Sequence, residues 1–340
     1  MTAPHAHDCP AADRLVADAI RAIGAEIDAL AIPRLGGVVL GGGYGRGEGG
    51  VFDADGAAPR LSNDLDFYVV SEDGAAPADL ARIAAALRPV SEKWTARLGV
   101  DVDFSPPKTP WRLKHDEERL MIQELVHGYF DVAGRPGEEL FRGVARREPS
   151  ALPAMEAVRL LVNRGAGLLL ASAPGASPDF IARNINKAIL GCGDARLIAR
   201  GGYRWRAEER AEALGDPLYS AAVAWKFRPR PEPVCDWEKA RDLWLAASAE
   251  LCSDHATTGP CDHATIGPSD HRTTRPRDHA SLRGRSLRAA LRWIARRRTL
   301  GPPRTLGMDP LVRILDEMIP AVRDRRPFAP SLRRDWEIFN

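Results

Sequence analysis

The sequence predicts an α/β (α+β) fold: a mixed sheet flanked by helices, followed by an all-helical C-terminal region. Two observations carry this. In the first 150 residues, short apolar runs (Val38–Leu40, Leu65–Val70, Val100–Phe104) alternate with segments of helical period. After Pro153 the strand-like runs stop and only helical periodicity continues. The length of 340 residues suits two domains at roughly 100–200 residues each.

Residues 1–10 are expected to be disordered. Ala11 to Ala31 carries Leu15, Ile20, Ile23, Ile27 and Leu30 at helical spacing, and Pro33 ends it. Val38–Leu40 is a buried strand that runs into a glycine-rich loop. Leu65–Val70 is a second strand. Ala78–Leu87 is a helix with Pro77 near its start, a place where proline is favoured. Val100–Phe104 is a third strand, stopped by Ser105-Pro-Pro. These elements make a domain over 11–150. A helical domain over 151–252 follows, with helices at Met155–Ala171, Ile181–Ala199, Ala207–Leu214 and Trp237–Leu251. Asp-His pairs then recur at 254–255, 262–263, 270–271 and 278–279. That unit is rich in Pro, Gly and Thr and poor in large apolar residues, so 253–282 reads as a flexible linker, not a metal site. Residues 283–340 hold a basic helix, Arg283–Arg298, and a shorter one from Pro310 to Val322.

The bulk numbers exclude several classes. A net charge of +2 makes no global case for a nucleic-acid or membrane partner. The five cysteines form no CxxC pair and are expected to be reduced. The N-terminus has neither the basic nor the apolar region of a signal peptide, and no apolar run reaches about 18 residues. A cytoplasmic location is the expectation.

The chemistry concentrates in the first domain. Side chains alternate faces along a strand, so Asp64 and Asp66 point the same way while Leu65 points to the core. Paired carboxylates repel one another, and a divalent cation relieves that. Mg²⁺ favours one or two carboxylates together with substrate phosphates. Asp101 and Asp103 repeat the alternation on the third strand. If the two strands are neighbours, up to four carboxylates share one surface, as a two-metal site requires. The run Gly41–Gly50 follows a strand and can bring bare backbone N–H groups to a phosphate, with Arg46 adding a two-pronged charged contact. It is neither a P-loop, since no GK[ST] follows, nor a dinucleotide fingerprint.

Together, strand, GGYGRGE, loop, DLD and a later acidic strand resemble the nucleotidyltransferase superfamily with a DNA polymerase β-like catalytic domain, over roughly residues 35–132. The resemblance implies a nucleoside triphosphate held by Gly42 and Gly43, two Mg²⁺ ions on Asp64 and Asp66, and a third acid that binds the catalytic metal and takes the acceptor's proton. Asp103 fits that third role, sitting between apolar residues, and Val-Asp101-Val fits nearly as well. The gap from Gly43 to Asp64 is longer than the family pattern and contains an added turn at 53–59. The helical half resembles the cleft-closing domain of small-molecule members, where Lys187 would reach the triphosphate.

The expected activity is transfer of a nucleotidyl group, AMP from ATP, to a hydroxyl of a small-molecule acceptor with release of pyrophosphate. The alternatives are a protein side chain or RNA end as acceptor, or a silent nucleotide-binding regulator. The intact acids oppose the last. The near-neutral charge disfavours nucleic acid, with only Arg283–Arg298 pulling the other way.

Overall fold

The computed structural model describes residues 5–52, 59–257 and 310–339. The sheet-bearing half contains α1 (Pro10–Ala29), β1 (Leu35–Leu40), a single turn α2 (Gly42–Gly45), β2 (Val51–Phe52), β3 (Arg60–Leu61), β4 (Leu65–Ser71) and α3 (Pro77–Leu98). It continues with β5 (Val102–Phe104), α4 (Pro110–His115), α5 (Leu120–His127), β6 (Phe130–Gly134) and α6 (Gly137–Leu140). The four-stranded sheet has the order β5-β4-β1-β6, and β2 pairs only with β3. β1 runs antiparallel to both β4 and β6, while β4 and β5 are parallel, so the sheet is mixed.

The alternation of side chains explains which helix covers which face. Val38, Leu40, Leu65, Phe67, Val69 and Val102 pack with the buried stripe of α1 (Val16, Ile20, Ile23, Ile27) and of α3 (Ile83, Leu87, Val90, Trp94). Val39, Val70 and partly buried Tyr68 face the other way, onto Leu113 of α4, Ile122 and Leu125 of α5, and Leu140 of α6. Gly24 lets α1 lie directly on β6, because a Cβ there would collide with the Val132 carbonyl.

Two elements differ from expectation in length. α3 does not stop at Leu87: it continues through Pro89 to a left-handed Gly99. Pro89 is on the exposed side, and Val90 and Trp94 keep the helix on the sheet, so packing outweighs the lost backbone bond. β5 begins at Val102, not Val100. Residues 5–9, expected to be disordered, are packed. Asp13 accepts the His5 and Ala6 amides at 2.8 and 2.7 Å, Ala6 bridges to Gly49, and the His7 ring stacks on Phe227 at 3.8 Å.

Past a short turn at Pro149–Ala151 the described chain is helical: α7 (Met155–Ala171), α8 (Pro178–Ala199), α9 (Ala207–Leu214), α10 (Pro217–Phe227), α11 (Trp237–Thr257), α12 (Pro310–Arg323) and α13 (Pro330–Phe339). Their core is built on Trp244 and Trp237, whose indole N–H groups donate to the Leu161 and Leu168 carbonyls of α7 at 2.8 and 3.1 Å. The Asp-His repeat beyond residue 257 and the Arg283–Arg298 helix lie outside the described residues, as do residues 53–58 of the added turn. No helix among the described residues is long and apolar enough to cross a membrane.

Candidate active site

Three carboxylates meet where β4 and β5 begin. In the parallel register Leu65 pairs with Val102, Asp66 with Asp103 and Phe67 with Phe104. Asp66 and Asp103 are therefore at one level and on one face, and Asp64 is on that face two residues earlier. Asp101 precedes β5; stepping the register back sets it level with Asp64, where its carbonyl accepts the Leu65 amide at 2.8 Å. The apolar partners Leu65, Phe67 and Val102 point into the α1–α3 core, which fixes the acids on the opposite face.

The glycine run lies on top of this cluster. Gly41 donates to the Asp66 carbonyl at 2.9 Å. Gly42 has φ +62°, and a Cβ there would run into the Asp66 carboxylate. Only glycine meets both demands, a left-handed backbone and contact with a carboxylate. Gly43 lies within the turn of α2, and its carbonyl accepts the Glu48 amide at 2.8 Å.

The electrostatics of the cluster are unrelieved. Burial first, and then Asp64, push the Asp66 carboxyl up to about 6; Asp103 adds to this, and Lys187 opposes it. Asp103 is also raised, by burial and then by Asp101 and Asp64. Lys187 reaches the cluster from α8 and is pushed down by burial and then by Arg164, with Asp64 and Asp66 opposing. Arg183, one turn before Lys187, has its guanidinium 3.9 Å from Asp64.

Arg46 is placed differently. Its guanidinium is turned to Glu124 at 3.2 Å and Glu48 at 3.8 Å and is largely buried. It belongs to a chain of buried charges that joins the two halves. Glu48 accepts from Lys226 at 2.5 Å and from the Ala207 amide at 2.8 Å. Glu124 accepts from Tyr203 at 2.9 Å. Arg210 lies 2.9 Å from Asp194, which also accepts from Tyr219 at 2.6 Å. Burial would raise the Glu48 carboxyl, but Lys226 and Arg46 outweigh it and bring it down to about 2. Sequence reasoning missed this network and missed Arg164 and Arg183. Glu48 stood two residues from Arg46 in the glycine run, a pairing that hinted at a structural role.

Among the described residues, no group of three or more His, Cys, Asp or Glu side chains is arranged to hold a metal ion. No family model matches this chain.

Proposed function

We propose that this chain is a metal-dependent nucleotidyltransferase that moves a nucleotidyl group, AMP from ATP, onto a hydroxyl of a small-molecule acceptor. The observation that carries the reading is the register of Asp66 with Asp103 beneath a left-handed Gly42. It unites in one place an acidic strand pair and a side-chain-free loop, the two parts that nucleotidyl transfer needs.

The residues fit a divalent cation. Asp66 is an enclosed carboxylate held up near 6 by burial and then by Asp64, so it gains from a positive charge brought between the two acids. Asp64 and Asp66 would hold Mg²⁺, with Asp103 sharing the catalytic ion. A protein cage of three ligands is not required, because Mg²⁺ takes one or two carboxylates and completes its shell with water and phosphate. When bound, the ions supply charge neutralisation at the attacking and leaving oxygens.

The remaining work falls to the chain itself. The half-open edge at Gly42 and Gly43 admits the triphosphate close to Asp66. Lys187 and Arg183 approach from α8 and offset its charge. Asp103, more open to solvent than Asp66, takes the acceptor's proton on a carboxylate oxygen as the new O–P bond forms and the bond to pyrophosphate breaks. Closure of the site between two halves holds the reacting oxygens in line.

The direct test incubates the protein with Mg²⁺, each labelled triphosphate and pools of small-molecule, RNA and protein acceptors. The expected result is pyrophosphate release with label in the small-molecule fraction, strongest with ATP, and none with Asp66→Asn. Label in RNA or protein moves the acceptor to those classes, and no release with any triphosphate sinks the reading.

A further inference from the structure

Arg164 is a cation without a counter-ion. It lies on α7, its Nε is sealed from solvent, and that atom has no hydrogen-bond partner. No ion pair or hydrogen bond of its guanidinium is found among the described residues. The two acids whose charge reaches it, Asp194 and Glu124, are already committed. Asp194 serves Arg210 and Tyr219, and Glu124 serves Arg46 and Tyr203. The side chain is half-buried, and its sealed Nε is left without a partner, so an anion brought to the fork would supply the missing charge.

Its position says where that charge would come from. Of the charges acting on the Lys187 amine, Arg164 is the largest, followed by Asp64, Arg183 and Asp66. Arg164 is thus a neighbour of Lys187; along α8 it passes Gly191, one turn beyond Lys187, whereas Arg183, one turn before it, is the residue 3.9 Å from Asp64. α8 is shaped to receive it: Gly191, one turn beyond Lys187, has no side chain where Arg164 passes, and a Cβ there would collide with Cγ and lie 3.1 Å from Cδ and Nε. Three cations, Arg164, Lys187 and Arg183, are therefore grouped along α8, with Asp64 and Asp66 beside them. Among the described residues, only Arg183 of the three has a carboxylate within 4 Å.

We propose that Arg164 completes, with Lys187 and Arg183, a binding site for a polyphosphate chain, and that it takes the end of the chain farthest from the aspartates. This rests on the transferase reading for its biological meaning: the chain would be the β- and γ-phosphates, which depart as pyrophosphate. The anion site itself stands on the grouping of three cations along α8 and on the unpartnered Nε of Arg164. A single phosphate placed at Asp66 would leave Arg164 unmatched, whereas an extended chain would run from the acids along Arg183 and Lys187 to Arg164. Arginine suits the far end because its planar fork binds two oxygens of one phosphate.

The test is calorimetric titration of the full chain with inorganic pyrophosphate and tripolyphosphate, in EDTA and in Mg²⁺, with sulfate as the control. Wild type is expected to bind both polyphosphates and to prefer them over sulfate. Arg164→Met should weaken binding at least about tenfold, the loss of one charge-assisted contact, while Arg164→Lys keeps part of it. Gly191→Ala keeps the charge and displaces the guanidinium, so it should weaken binding as well, which decides the matter if Arg164→Met fails to fold. Wild-type affinity in both Arg164→Lys and Gly191→Ala, equal binding of sulfate, or no polyphosphate binding in either buffer overturns the proposal. Arg164-dependent binding in a protein that transfers no nucleotide would leave this site standing and remove the transferase reading alone.

Discussion

The molecule holds two enclosed charge clusters within a few residues of one another, and they are built on opposite rules. Around Glu48 each cation has a carboxylate within 4 Å: Lys226 at 2.5 Å, and Arg46 at 3.8 Å, which turns on to Glu124 at 3.2 Å although its Nε has no hydrogen-bond partner. Around Asp66 like charges face each other on one sheet surface, and the cations opposite are kept unpaired or at arm's length. The first cluster has the signature of a weld between the two halves. The second is the site of the proposed function, where a bound cation or phosphate would relieve the repulsion. Both draw on the same glycine run: Gly41 and Gly42 lie on Asp66, and Arg46 and Glu48 fasten the far end of the run to α9 and α10. The acidic cluster and the weld are therefore set at a fixed offset along ten residues of chain.

The sharpest way to break the comparison is at Asp66. Asp66→Asn is expected to abolish Mg²⁺-dependent pyrophosphate release while leaving the fold intact. It should also stabilise the metal-free protein. The folded carboxyl sits near 6, above its unfolded value of 3.8, so the folded state binds the proton more tightly. Wild-type stability then falls as pH rises from about 4 to about 6, and the ionised group costs up to about 3 kcal/mol at higher pH. Asparagine removes that cost. In EDTA at pH 7.5 the variant should melt above wild type, and added Mg²⁺ should narrow or reverse the gap by stabilising wild type alone. A variant that melts lower in EDTA would place Asp66 with the weld instead.

Glu48→Ala should behave in the opposite sense. It strands Lys226 in an enclosed setting and leaves Arg46 with Glu124 alone, and breaking a buried pair this way typically costs about 3–5 kcal/mol. The Glu48 carboxyl is held down to about 2, below its usual value of 4.5. Its contribution is therefore present above pH 4.5 and is lost as pH falls towards 2. The measurement is chemical denaturation at pH 7 and pH 3: wild type should lose stability between them, and Glu48→Ala should be low at both. An unchanged midpoint at pH 7 would show that the weld carries no load.

The sequence made one of these clusters legible and hid the other, for a physical reason. Asp64, Asp66 and Asp103 could be placed on a shared face because strand alternation is a local rule, and the strands only had to be neighbours. The register of Asp66 with Asp103 was beyond it, since pairing depends on how α3 returns the chain. The weld joins Glu48 to Lys226 and Arg46 to Glu124, partners separated by whole elements, and nothing local marks such pairs. Arg46 was read as a phosphate contact because glycine-rich loops use arginine that way; the structure turns it to Glu124 and Glu48. α10 was overlooked because nearly all its faces are apolar, although Asp216 caps it by accepting the Leu218 amide at 2.8 Å, a start signal visible in Asp216-Pro217. The N-terminal segment was misjudged because its anchors are backbone groups and Asp13, not a hydrophobic pattern.

The finest distinction lies within the unpaired cluster, between Asp103 and Asp101. Both point to one face, about 6–7 Å apart along the chain. Asp103 is level with Asp66, whereas Asp101 is level with Asp64 and precedes the strand. A group that takes the acceptor's proton acts on the chemical step and lowers kcat more than it weakens triphosphate binding. Asp103→Asn is therefore expected to lose on the order of a hundredfold in kcat, within the usual range for base catalysis, with triphosphate Kd largely kept. Asp101→Asn reaches the reaction only through the charge it presents to Asp103, whose carboxyl it helps to raise. Removing it should cost a few-fold at most and shift the acidic limb of the pH profile to lower pH, because Asp103 then ionises more readily. Measuring kcat, Kd and the pH profile for both variants separates the roles. The reverse ranking would move the proton to Asp101, and two mild variants would undo the idea that the register of β4 and β5 is what builds the site.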